Sequence, residues 1–82
     1  MHKLLNITPA EKAEAITPSD STSFTPYYRG LYVGGAGNVA VLPVGQTATV
    51  VFQGIPAGTI LPIIVSKVLS TGTTATSIVG LR

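Results

Sequence analysis

The apolar residues of this 82-residue chain fall into short runs parted by glycine and proline, and the runs carry the period of β-strands. Thr47–Gln53 shows it most clearly. Ala48, Val50 and Phe52 face one way, and Thr47, Thr49 and Gln53 the other, as a half-buried strand requires. Four more runs have strand length. Arg29–Val33 leads to Val39–Leu42 across Gly34-Gly35-Ala36-Gly37-Asn38, whose glycines predict a hairpin turn. Ile60–Leu69 follows Gly54-Ile55-Pro56-Ala57-Gly58, and Ser77–Leu81 follows Ser70-Thr71-Gly72-Thr73-Thr74. Strands of this length between Gly/Pro turns predict an all-β fold, a small antiparallel sandwich or barrel. Ile60–Leu69 is apolar on both faces, with Leu61, Ile63, Val65 and Leu69 set against Ile60, Ile64 and Val68. Such a strand is central in its sheet, or its outer face meets another subunit. Lys67 interrupts the run, a common safeguard against edge aggregation.

The pattern changes before Phe24, which divides an extended N-terminal arm (1–24) from a β domain (25–82). The arm holds His2, Lys3, Glu11, Lys12, Glu14 and Asp20, most of the titratable groups of the chain. Thr8-Pro9-Ala10-Glu11 has the form of a helix start, with Thr8 as cap, Pro9 at the first helical position and Glu11 reaching back. Lys12–Ala15 is then expected to carry about two helical turns, too few to stand without docking. Thr17–Pro26 reads as extended, because Pro18 and Pro26 hold their predecessors out of the α region.

Charge narrows the function. From Gly30 onward the only charges are Lys67 and Arg82. Charged residues make up 10% of the chain, where about a quarter is usual for a soluble domain. A surface so neutral is either Thr/Ser/Gly or covered by other copies or a partner. With no cysteine there is neither a disulfide framework nor a thiolate metal site. Oligomerisation is then the remaining way to stabilise so small a domain. The net charge of +2 is spread out, which argues against nucleic acid as partner. No apolar stretch reaches membrane-spanning length, and Met1–Ile7 is too short for a signal segment.

Catalytic chemistry finds no footing. The only histidine is His2, so no Ser–His–Asp base is positioned. Glu11 and Glu14 read as a solvated face rather than an acid/base pair. Gly34-Gly35-Ala36-Gly37 lacks both the dinucleotide fingerprint and the P-loop Lys-Ser/Thr. No cluster suits a metal, and no cofactor is expected. Tyr27, Tyr28 and Tyr32 offer two readings, packing at a core or interface, or a stacking platform for sugars. Arg29 beside them is a cation able to pair across a subunit boundary. The residues expected to contact another subunit or a partner are Pro9, Pro18 and Pro26 of the arm, Tyr27, Tyr28 and Arg29, and Ile60, Ile64 and Val68.

Five segments together carry a resemblance: Ile16-Thr17-Pro18-Ser19-Asp20-Ser21, Arg29-Gly30-Leu31-Tyr32-Val33-Gly34, Pro56-Ala57-Gly58-Thr59-Ile60-Leu61-Pro62, Thr71-Gly72-Thr73-Thr74-Ala75 and Ile78-Val79-Gly80-Leu81. In this order, over Ala15–Arg82, the chain resembles small head-spike base proteins of tailed phages and of alphaproteobacterial gene transfer agents. The resemblance implies a virion protein on the capsid surface at five-fold positions, bound to the major capsid protein and carrying a spike or fibre. It implies a homo-oligomeric ring, a pentamer where it follows the five-fold site. It brings no catalytic residue, and Met1–Glu14 lies outside it. Two alternatives stand beside it: within the same structural class, a capsid cement or decoration protein that carries nothing, and, from the residues, a small carbohydrate-binding module using the three tyrosines.

Overall fold

The computed structural model describes residues 10–25 and 27–82. They form seven strands: β1 (Ala13–Ala15), β2 (Gly30–Gly35), β3 (Gly37–Pro43), β4 (Val50–Ile55), β5 (Thr59–Leu61), β6 (Val65–Leu69) and β7 (Thr76–Leu81). A four-stranded sheet has the order β1-β7-β2-β5 and a three-stranded sheet the order β4-β3-β6. Every pairing is antiparallel. The sheets share one core. Leu31 and Val33 of β2, Leu61 of β5 and Ile78 of β7 meet Val39 and Val41 of β3 and Val65 and Val68 of β6. The all-β expectation holds.

The connections differ from expectation in three places. First, Gly34–Asn38 is no hairpin, because β2 and β3 lie in different sheets. The chain passes through Ala36 from one sheet to the other. Glycine is needed for closeness here. A Cβ on Gly37 would sit 2.6 Å from the Ala75 backbone nitrogen, and one on Gly35 would collide with Thr76 Oγ1.

Second, Ile60–Leu69 is not one central strand. It splits into β5 and β6, each at the edge of a different sheet. Pro62 has no N–H to extend the β5 ladder, and residues 62–64 cross between the sheets. A register shift in the β3–β6 ladder, between Leu42 and Pro43, lets Val65 and Val68 both point inward although they are three apart. The third expected strand also shifts, from Thr47–Gln53 to Val50–Ile55. Val50 and Phe52 do share the inner face, opposite Val41 and Val39. Ala48, Thr47 and Thr49 lie outside the strand.

Third, the expected helix over Lys12–Ala15 is the strand β1, with Ala13, Glu14 and Ala15 opposite Leu81, Gly80 and Val79. A two-turn helix has too few hydrogen bonds to compete with a ready strand edge. The chain then wraps the outer edge of β6. Ser19 N–H donates to Val68 O, Phe24 N–H donates to Ser66 O, and Tyr28 bridges to Val65. Ile16 and Phe24 pack on the core, and the Phe24 ring stands edge-on to Tyr28 at 4.6 Å. Asp20 fixes the far loop by accepting the N–H groups of Ser70 and Thr71, both at 2.9 Å, and the Thr71 hydroxyl at 2.6 Å. From Glu11 the described part of the arm is hydrogen-bonded along the β domain.

Candidate assembly surfaces

Residues directly opposite in an antiparallel pair share a face. The register therefore lines up Ala15, Val79, Tyr32 and Ile60 across all four strands of the larger sheet. Leu31 and Val33 point into the core, so this row faces outward. Its neighbour row is Ala13, Leu81 and Gly30. Both rows are uncharged. Tyr32 lies among glycines, since a Cβ on Gly34 would be 3.6 Å from its ring and one on Gly58 4.0 Å from its hydroxyl. Tyr32 is 39% exposed on this face. Ile60 is 57% exposed, an expensive place for an isoleucine without a partner.

A second surface gathers the charges. Glu11, Lys12, Tyr27, Arg29 and Arg82 line an open cleft of about 440 Å³. At its root, Glu14 Oε1 accepts the Tyr28 hydroxyl at 2.6 Å and pairs with Arg82 Nη2 at 2.6 Å. The Arg82 guanidinium also lies 4.6 Å over the Tyr28 ring, a cation–π contact. Burial raises the Tyr28 pKa, the Glu14 hydrogen bond adds to this, and the Arg82 charge opposes it. Among the described residues, only Asp20 and Lys67 carry charge away from this end.

The expected contact residues part company in space. Tyr27 is half exposed at the charged end, with Arg29 beside it. Ile60 is on the apolar row. Ile64, 50% exposed, sits on the crossing between β5 and β6, where its carbonyl accepts the Val44 N–H. Pro18 is half-buried in the wrapping segment. Pro9 and Pro26 lie outside the described residues. Tyr28 and Val68 lie in the core of the folded chain, Val68 being 1% exposed. With Tyr28 inside and its hydroxyl held by Glu14, the three tyrosines form no common platform for a sugar.

Sequence reasoning missed the open edge of β4, although its signal was there. Val50–Ile55 has no charge and no proline, the usual protections of an edge strand.

The described residues thus form two packed sheets with an uncharged outer face and one charged end. No model of a known family and no curated protein matches the chain. Among solved structures, the chain is similar to a component of the capsid of a native gene transfer agent (GTA) particle, computed with C5 symmetry. The TM-score is 0.80 and the sequence identity 39%, over 92% of this chain and 86% of that one. The chain belongs to the same family as that capsid component.

Proposed function

We propose that this protein is a structural component of a phage-like capsid particle, and within it a head-spike base. It sits on the capsid surface at five-fold positions, forms a ring of copies and carries a spike or fibre. One observation carries the reading: 39% identity across nearly the whole chain with a component of a GTA capsid computed with C5 symmetry. The charge-poor body supports it, because a neutral face such as Ala15–Val79–Tyr32–Ile60 suits permanent contact better than a free surface. The work is binding, with no reaction to catalyse.

Tagged protein on purified particles, imaged with gold label, tests this. Label at the vertices, together with loss of spikes from particles lacking the protein, is the expected result. Label over the whole shell, with spikes intact, would make it a cement protein instead.

A further inference from the structure

We propose that Met1–Pro9 of one copy docks as an added strand on the open β4 edge of the next copy, head to tail. The proposal rests on the ring described above, and its test separates the two.

β4 ends the three-stranded sheet and pairs, among the described strands, with β3 alone. It is six residues long, Val50–Ile55, uncharged, with Val50 and Val51 37% and 41% exposed. An edge of this kind is a template for another chain. The other edges differ. β6 is already bonded by Ser19 and Phe24. β1 is three residues long and stands among Glu11, Lys12 and Glu14. β5 is also three residues long and bounded by Pro56 and Pro62. Neither short edge matches a six-residue ladder, and β4 against β4 of another copy is a self-complementary contact that closes at a pair rather than a ring, so the occupant is an extended segment. The chain has a sequence of this kind outside the described residues. Leu4-Leu5-Asn6-Ile7-Thr8 is uncharged, and Leu5 and Ile7 alternate with Asn6 and Thr8, the pattern of a half-buried strand.

Reach decides which copy receives it. The segment joins the fold at β1, at one edge of the four-stranded sheet, and β5 forms the other edge. The chain leaving β1 runs along β6, and β4 is the opposite edge of that sheet, so β4 lies on the β5 side. Three strand spacings from β1 to β5 amount to about 14 Å, and lining β4 takes about 20 Å more. Nine extended residues span at most about 30 Å. The segment is too short to cross its own domain and then follow β4. A neighbouring copy removes the crossing. Donor and acceptor lie on opposite sides of one molecule, the heterologous arrangement that closes into rings. Main-chain hydrogen bonds of strand addition supply the affinity.

The chain has no cysteine, so introduced thiols report cleanly. Asn6→Cys, on the polar face of the segment, and a tagged Gln53→Cys chain, on the outer face of β4, are mixed at micromolar concentration and oxidised. Val51→Cys, on the same strand face as Gln53, covers a register displaced by two. The expected product is a covalent dimer holding one chain of each kind, absent when either variant is mixed with the parent protein. Deleting residues 1–9 leaves every described element in place. It is expected to weaken self-association at least tenfold by light scattering, with the far-ultraviolet dichroism unchanged. A synthetic Met1–Pro9 peptide should then raise the melting temperature of the deletion variant, as any ligand of the folded state does. Failure of both mixed pairs to cross-link overturns the proposal, as does cross-linking confined within single chains. A deletion variant that still forms the multimer overturns the donated strand and leaves the ring standing. Gold labelling of particles tests the head-spike reading separately.

Discussion

At the scale of single residues, glycine matters here for its missing side chain more than for its turns. A Cβ on Gly80 would lie 2.5 Å from Tyr28 Cδ1 and 2.8 Å from Ile16 Cδ1. The bare backbone of β7 is what lets Tyr28 lie down beside Glu14 and Arg82. Gly80→Ala should destabilise the domain by about 1–3 kcal/mol, the cost of overpacking a filled core, read as a lower denaturation midpoint. The glycines were legible as punctuation, but nothing in the local sequence marks Gly35, Gly37 and Gly80 as sites of close approach. That role depends on Thr76, Ala75 and Tyr28, which are distant in the chain. Asp20 acts through charge. Its hydrogen bonds from Thr71 and Ser70, led by the Thr71 side chain, lower its pKa below the usual 3.8. A depressed carboxylate contributes stability above its unfolded-state pKa and loses it as pH falls through the folded-state value. Asp20→Asn should therefore melt below the parent at neutral pH. The gap should narrow on acidification below about pH 4, and a constant gap would assign the effect to packing instead.

At the scale of elements, four of the seven strands were legible as single runs, because alternation and breakers are local properties. β5 and β6 were seen as one run. The partition into two sheets was not legible. A glycine-rich hairpin and a glycine-rich crossing between sheets look alike in sequence, and only the far partner distinguishes them. β1 was hidden for the same reason: Thr8-Pro9 promises a helix locally, while pairing with Val79–Leu81 decides the outcome. The candidate surface was half legible. Ile60 and Ile64 stood out as excess apolar residues, but the absence of side-chain context put core residues such as Val68 with them. Substitutions should separate the two sets. Leu31→Asp, within the core, should cost about 4 kcal/mol or more and abolish cooperative folding. Ile60→Asp should change the stability of the isolated chain by no more than about 0.5 kcal/mol, as surface changes do, while reducing self-association. Paired melts and light scattering check both. A large loss of stability in Ile60→Asp would place the apolar row inside the fold rather than at a contact.

At the scale of the whole molecule, the charges collect at one end and leave the sheet face neutral, so the two surfaces should respond differently to salt. Self-association through the apolar row should change less than about threefold between 0.05 and 0.5 M salt, because such contacts lie outside ionic screening. Sedimentation at the two salt concentrations checks this, and a steep loss would transfer the contact to the cleft lined by Arg29 and Arg82. The position of β7 has a consequence in time. β7 follows the other six strands in the chain, yet it lies inside its sheet, between β1 and β2. Neither neighbour pairs with the other, so before β7 arrives the larger sheet is only the β2–β5 pair. A polypeptide still emerging from the ribosome therefore cannot settle stepwise; it must wait, with its apolar strands uncovered, until Thr76–Leu81 is free. Refolding dominated by such distant pairings belongs to the millisecond-to-second regime, and the waiting interval is when this chain most needs the company of chaperones.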